Sequence, residues 1–421
     1  MDIIIEPRVL RGRVKAIASK SDTHRKLICS ALCSTKTEIL LDGGSQDIDA
    51  TISSLQALGA LVEHTQNGVM VSGGLCGKDK AVEVECGESG STLRFLLPVA
   101  AALGIKADFV GKGRLPKRPM NALCGLLREH GAIIDSDYLP IHVGGILEGG
   151  QYSIRGDISS QYISGLLFAL PLLSSDSEIV LTSPLESAGY VELTRQVLKQ
   201  FGIIVLKTQC GWKVRGNQKY TAGDIVHVEG DWSNAAFWFG AGALGGCIQI
   251  YNLSENSVQG DKIIENLACA FGARVQHFQD GVTVFSEGTV NGEITVDARD
   301  IPDLVPVLCV LACGTNGTTI IENCARLRLK ESDRIKAVCD MIDSLGGNAR
   351  EDGDSIVIKG MKTLRGGVVD SQNDHRIAMA AAIASIMCKE SAIVKNADAV
   401  NKSYPDFWRD FNSLGGKADV V

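Results

Sequence analysis

Basic residues cluster at six places in this chain, and three of those clusters open an apolar stretch. Lys20, Ser21 and Arg25, with Lys26 beside them, lead into LICSALC, and Arg94 follows Gly90-Ser91-Thr92 at the head of LRFLLPVAAAL. His375 and Arg376 open RIAMAAAIASIM. The other three are GKGRLPKRP (Lys112, Arg114, Lys117, Arg118), RLRLKESDR (Arg326, Arg328, Lys330, Arg334) and VNKSYPD (Lys402). Guanidinium forks match carboxylates and phosphates, and lysine serves as a point charge, so the chemistry on offer is the holding of small polyanions. Acids stand among these bases: Glu331 and Asp333 lie inside the Lys330/Arg334 cluster, and Asp303 is expected to cap an apolar helix. A carboxylate ringed by arginines stays ionised, which suits a general base; use as an acid needs an opposing influence such as a bound anion. Taken singly, each basic cluster also reads as a solvated face, and each acid as a simple ion pair. Arg114 and Arg118 share a segment with Pro116 and Pro119, which is expected to be rigid and outside regular structure.

These residues need elements to hold them, and the chain supplies a repeat. A helical segment ending in glycine, usually followed by a strand, turn and strand, recurs at Gly59, Gly131, Gly202, Gly272, Gly346 and Gly415, with separations of 72, 71, 70, 74 and 69 residues. Glycine belongs there because a helix commonly ends through a left-handed residue. Each unit also carries one nearly uncharged stretch: LICSALC, LRFLLPVAAAL, YISGLLFALPLL, AAFWFGAGALG, LVPVLCVLACG and RIAMAAAIASIM. A helix apolar all round must be buried. Units of about 70 residues are marginal alone, so two groups of three are expected, each with strands packed around three internal helices. The lead-ins SKSDTHRK, GESGSTLR, GDISSQY, GDWSNAAF, RDIPDLV and SQNDHRIA all offer Ser, Thr, Asn or Asp as an N-cap. If the helices of a group run the same way, their positive ends converge, and such ends favour anions.

Composition narrows the class. The 421 residues carry 42 basic and 49 acidic side chains, a net charge of −7, which favours neither a nucleic-acid nor a membrane-surface binder. The 13 cysteines are odd in number and scattered without a Cys-x-x-Cys pair, so they are expected to be reduced and buried. The start MDIIIEP lacks a basic region followed by an apolar one, so no signal peptide is expected and a cytoplasmic location follows. No nucleotide P-loop, dinucleotide fingerprint or nucleophile elbow is present, and the seven histidines, His24 included, show no metal spacing. The residues alone therefore point to a two-domain enzyme acting on small polyanions by acid–base chemistry, without a metal.

At SKSDTHR, GESGSTLR, GRLPKRP, SSQY, LKESDR, NDHRIAM and VNKSYPDF the chain resembles the 5-enolpyruvylshikimate-3-phosphate synthase family of enolpyruvyl transferases, over essentially its whole length. The resemblance implies an α/β (α+β) fold of two similar domains, each of three βαβαββ units with buried parallel helices, an inside-out α/β barrel. It places residues 19–227 in one domain and 1–18 with 228–421 in the other, with the active site in the interdomain cleft. It implies transfer of the enolpyruvyl group of phosphoenolpyruvate to the 5-hydroxyl of shikimate 3-phosphate by addition and elimination, in chorismate and aromatic amino acid biosynthesis, without a cofactor. Shikimate 3-phosphate would be held by Lys20, Ser21, Arg25, Ser159, Ser160, Gln161, Ser187, Asp303 and Lys330. Phosphoenolpyruvate would be held by Lys20, Gly90, Arg118, Gln161, Arg334, Arg376 and Lys402. Asp303 would accept the hydroxyl proton, Glu331 and Lys20 would serve the methylene carbon, and His375 would support Glu331. A monomer is expected, and Gly90 leaves room for the inhibitor glyphosate. Glu88 stands where many members have asparagine and would repel an anion unless it pairs with a neighbour such as Arg94 or points away. The nearest rival activity, on UDP-N-acetylglucosamine, goes with asparagine after the first lysine and a cysteine in the mobile loop. Here Ser21 follows Lys20, and GKGRLPKRP has no cysteine. The other rival is a non-catalytic homologue.

Overall fold

In the computed structural model, which describes residues 1–76 and 80–421, the chain divides into two compact units: Met1–Ile17 with Glu229–Val421, and Ala18–Val228. Among the described residues the strands form six four-stranded sheets of one pattern. The second repeat shows it plainly. Strand Val82–Glu85 lies parallel to Ala107–Val110, which pairs antiparallel with Ile141–Gly145, which in turn pairs antiparallel with Ala132–Ile134. The buried helix Gly90–Ala102 joins the parallel pair, and the amphipathic helix Asn121–Glu129 precedes the hairpin. Each repeat is thus a βαβαββ unit.

Two sheets of one unit and one of the other are completed by strands distant in sequence. Ile225–His227 pairs in parallel with Lys36–Leu40 and so opens the first repeat. Arg11–Lys15 pairs in parallel with Cys247–Tyr251 and opens the fourth, while Ile3–Glu6 lies between Ala392–Lys395 and Lys417–Val420 and closes the sixth. The first 17 residues therefore belong structurally with the second half of the chain.

All six repeat glycines have positive φ, from +76° at Gly202 to +112° at Gly59. Space reinforces the choice at Gly272, where a Cβ would stand 2.3 Å from the Gly288 carbonyl oxygen. The six apolar stretches form Lys20–Leu32, Gly90–Ala102, Ser160–Ala169, Trp232–Ala243, Val305–Cys313 and His375–Ala384, and all are buried over most of their length. Within each unit glycine lets the helices close up. A Cβ at Gly165 would lie 2.2 Å from the Arg94 carbonyl oxygen, so Ser160–Ala169 rests directly on the backbone of Gly90–Ala102. In the other unit Gly240 meets Val307 and Ile383, one residue from each remaining buried helix.

Five of the six helices are capped by the residue type anticipated: Ser19, Ser89, Ser159, Asp231 and Asp374 accept from backbone N–H groups one turn on. The fifth departs. Its N-cap is Leu304, without a side-chain bond, and Asp303 does not cap it. The Asp303 carboxylate instead faces three cations, which bind it more strongly than a backbone amide would. Leu115–Lys117 is a 3-10 turn, so the Arg114–Arg118 segment is more regular than its prolines suggested. The cysteines are all free but not all buried: Cys76, Cys210 and Cys269 are exposed and Cys247 is intermediate. They sit at strand edges, loops and an amphipathic helix end, where no apolar face recruits them. No helix among the described residues is long and apolar enough to cross a membrane.

Candidate functional site

In the 18–228 unit the first turns of three buried helices meet. Lys20, at the start of Lys20–Leu32, pairs with Asp47 at 2.8 Å, and Ser21 gives its carbonyl to Arg25 Nη1 at 2.6 Å. Arg25 is 2% exposed; it also donates to Thr194 Oγ1 at 2.8 Å and the Tyr190 carbonyl at 2.9 Å, over the Phe95 ring. Burial lowers its pKa to about 10, with Asp22 opposing, so it remains charged at neutral pH. Gln161 is shared between helices: it accepts from Arg94 Nη1 at 2.5 Å and donates to Ser91 Oγ at 2.8 Å. The close approach at Gly165 makes that bridge possible. Ser159 caps the helix, Ser160 is buried in its first turn, and Ser187, at φ 56°, starts the helix Ala188–Gln200.

Gly90 lies beneath two guanidinium groups. A Cβ there would stand 2.8 Å from Arg94 Nη1 and 3.0 Å from Arg118 Nη1. The Glu88 carboxyl lies instead over Gly113, where a Cβ would meet its Cδ and Oε2 at 2.3 Å. His24 sits deeper, with Nδ1 2.7 Å from Thr51 Oγ1; burial, then Lys20 and Arg25, depress its pKa well below the usual histidine value, so it is a neutral core residue.

The other unit concentrates opposite charges. Arg334 is 1% exposed and touches three carboxylates. Its Nη1 meets Asp303 Oδ1 at 2.7 Å, its Nη2 meets Glu331 Oε2 at 2.6 Å, and its Nε meets Asp374 Oδ2 at 2.8 Å. Arg376 Nη2 meets Asp303 Oδ2 at 3.1 Å, and Lys330 Nζ stands 3.5 Å from Asp303 Oδ1. Ser332 Oγ donates to Asp374 at 2.9 Å. His375 is 2% exposed in the same helix start, its Nδ1 3.9 Å from Asp374 Oδ1, and Lys402 Nζ donates to the Asn373 carbonyl at 2.7 Å. Asp333 serves locally, capping Arg334–Ser344 and pairing with Arg328. Arg326 donates to the Arg299 carbonyl.

The ionisations follow from this geometry. Burial alone would raise the Asp303 pKa, but Arg376, Lys330 and Arg334 outweigh it and hold the carboxyl well below its usual range. Burial lowers Lys330 to about 8, although Asp303 opposes the shift. Burial disfavours the Arg334 cation too, yet Asp374, Glu331 and Asp303 hold its pKa well above normal.

The structure thus gathers Lys20, Ser21, Arg25, Gly90, Arg118, Ser159, Ser160, Gln161 and Ser187 in one unit. It gathers Asp303, Lys330, Glu331, Arg334, His375, Arg376 and Lys402 in the other. Sequence reasoning missed two partners. Asp47 carries no signal, being merely one acid on a neighbouring amphipathic helix. Asp374 was visible only as a cap, although it also holds Arg334. Among the described residues no group of three or more His, Cys, Asp or Glu side chains is placed to hold a metal ion.

Six βαβαββ units with buried helices that carry cations in their first turns define an α/β architecture suited to anionic ligands. Comparison with known proteins sharpens that class. The family model for EPSP synthase (3-phosphoshikimate 1-carboxyvinyltransferase) matches residues 5–411, and the chain belongs to that family. It is 42% identical over 420 residues to the 3-phosphoshikimate 1-carboxyvinyltransferase of Clostridium kluyveri, covering 99% of this chain and 98% of that one. The enzyme of the same name from Clostridioides difficile is 39% identical over 429 residues, covering 99% and 98%. Among solved structures, EPSP synthase from Acinetobacter baumannii superposes with a TM-score of 0.81 at 24% identity over 100% of both chains. The enolpyruvyl transferase NikO from Streptomyces tendae gives 0.80 at 16% identity over 99% and 98%. At those identities the two structures speak to the fold alone.

Proposed function

We propose that this protein transfers the enolpyruvyl group of phosphoenolpyruvate to the 5-hydroxyl of shikimate 3-phosphate, releasing phosphate, in the biosynthesis of chorismate and the aromatic amino acids. The observation that carries the reading, beside family membership, is Asp303, a carboxylate kept ionised by Arg334, Arg376 and Lys330 and sharing Arg334 with Glu331. The 18–228 unit supplies one cluster and the 1–17/229–421 unit supplies the other. Lys20, Ser21, Arg25, Ser159, Ser160, Gln161, Ser187, Asp303 and Lys330 take the phosphorylated ring; Lys20, Gly90, Arg118, Gln161, Arg334, Arg376 and Lys402 take phosphoenolpyruvate. The enzyme works as a cytoplasmic monomer, and it is sensitive to glyphosate, because Gly90 brings no side chain against the Arg94 and Arg118 guanidinium groups above it.

The acid–base logic runs through competition for cations. Without ligand, three cations hold Asp303 as a weak base. Substrate phosphate and carboxylate draw Arg334, Arg376 and Lys330 toward themselves, which raises the proton affinity of Asp303 as its hydroxyl partner arrives. Asp303 then takes the 5-hydroxyl proton while the oxygen bonds to C2 of phosphoenolpyruvate and its methylene carbon gains a proton, through Glu331 and Lys20. His375 supports Glu331. Loss of a proton from the resulting methyl group expels phosphate and restores the double bond. Orientation of two substrates in such a site contributes up to about 7–11 kcal/mol.

The test is phosphate release on mixing the protein with both substrates. Release must need both, and UDP-N-acetylglucosamine must not replace shikimate 3-phosphate. Turnover only with the sugar nucleotide would overturn the reading. A second expectation concerns the alkaline side. Lys330 loses its proton at about 8, so kcat/KM falls as pH rises through that value in the wild type. Lys330→Arg, charged throughout, loses that limb even if its overall activity is lower. An unchanged limb in the variant would assign it to another group.

A further inference from the structure

A buried polar chain adjoins the Asp303 cluster and has no part in the roles above. Asp261 lies in the 3-10 turn Gly260–Ile263 and is 1% exposed. Its carboxylate accepts the Ser233 hydroxyl. Ser233 belongs to the first turn of Trp232–Ala243, and its carbonyl accepts from Arg376 Nη1 at 3.4 Å. The same nitrogen donates to the Asp303 carbonyl at 3.2 Å, and Arg376 Nη2 meets the Asp303 carboxylate at 3.1 Å. Gln259 holds the turn in place, accepting from Trp232 N at 3.2 Å and donating to the Gly230 carbonyl at 2.8 Å. Two carboxyls therefore flank Arg376: the half-buried Asp303 directly, and the buried Asp261 one residue away through Ser233.

We propose that Asp261 is a positioning residue for the Arg376–Asp303 pair: it fixes Arg376 through Ser233, and its charge sets how strongly Asp303 takes a proton. The proposal rests on the reading that Asp303 accepts the hydroxyl proton. The charged groups facing Asp261 are Arg376 from His375–Ala384, Asp303 ahead of Val305–Cys313, and Asp231 at the cap of Trp232–Ala243. Lys262, on its own turn, is turned to the Glu255 carbonyl and the Trp232 ring. Burial, followed by Asp303, raises the Asp261 pKa to about 6, while Arg376 and the Ser233 hydroxyl pull it down. Asp261 is thus neutral in mild acid and ionised at neutral pH. Once ionised, it offsets part of the positive field at Asp303 and makes that carboxylate a better base.

Asp261→Asn keeps the shape and an acceptor for Ser233 but cannot ionise. The measured quantity is the ratio of wild-type to variant kcat/KM against pH, in which substrate ionisations cancel. The ratio should rise through pH 6, reaching about tenfold by pH 8 if the field shifts Asp303 by roughly one pKa unit. Ser233→Ala removes a hydrogen bond to the ionised form, so in that variant the inflection should move to higher pH. Without substrates, the melting temperature of Asp261→Asn relative to wild type should climb as pH rises from 4 to about 6, because only the wild type then carries the cost of a buried charge. A ratio that is constant with pH, an inflection unmoved by Ser233→Ala, or a pH-independent melting difference would each overturn the proposal. Failures separate cleanly: a wild type that releases no phosphate sinks the functional reading, whereas release with a flat ratio sinks only the role of Asp261.

Discussion

Asp303→Ala should lower kcat by about three orders of magnitude, the middle of the range that a positioned general base contributes. The loss should fall on kcat and not on KM. Removing the carboxylate frees Arg376, Lys330 and one arm of Arg334 from a protein partner, so anionic substrates meet cations that are less neutralised than before. Binding of phosphoenolpyruvate and shikimate 3-phosphate therefore holds or tightens while the proton acceptor is missing. The fold tolerates the change because Arg334 keeps Glu331 and Asp374. Steady-state phosphate release against each substrate, with a melting curve beside it, reads all three quantities. A kcat within tenfold of wild type, or a loss carried by KM, would remove Asp303 from the chemistry.

Arg334→Met should be the most destabilising single change in this cluster. Its guanidinium is the shared counterion of Asp303, Glu331 and Asp374, and it is 1% exposed. Taking one partner from a buried pair costs about 3–5 kcal/mol, because the other charge stays buried and uncompensated. Here three carboxylates lose it at once, although Arg376 and Lys330 still serve Asp303. The pH dependence has a definite sign. The folded-state pKa of Asp303 is depressed, so in the wild type its stabilisation is present above the ordinary carboxylate range and is lost as pH falls through the lower folded value. In the variant Asp303 loses one of the cations that keep it ionised and protonates more readily, which relieves the strain. The stability gap should therefore be largest near pH 7 and shrink toward pH 4. Urea unfolding at several pH values, following the 1–17/229–421 unit, would show it. A gap that does not change with pH would mean that packing, not charge, makes Arg334 important.

Much of this was open to a reader of the chain alone. The 70-residue period was visible because one helix of each repeat ends through a left-handed residue, which leaves a glycine there at every repeat. The buried helices were visible because an element with no polar face has nowhere else to go. Lys20, Ser21, Gly90, Ser160, Gln161, His375 and Arg376 lie in the first turns of those helices, since caps and first-turn residues are local features. Asp303 shows the boundary of such reasoning. Its position before an apolar helix predicts a cap, and a cap would satisfy local rules. The carboxylate instead turns to Arg334 and Arg376, 31 and 73 residues further along, because charge-assisted contacts there exceed what one backbone amide offers.

Residue types, their spacing and the repeat thus determined that the protein has six like units, which helices are buried, and that small anions are its partners. Only the tertiary structure decided which carboxylate meets which cation. Lys20 with Asp47, Arg334 with Asp374, and Asp261 beside Arg376 all join elements that are far apart in the chain. Charge pairing across such distances depends on how glycines such as Gly165 and Gly240 let the helices approach, and on burial that no local pattern encodes. The ionisation states on which the proposed chemistry depends are therefore properties of the packed molecule, since burial and long-range neighbours, not residue type, set the proton affinity of Asp303, Lys330 and Asp261.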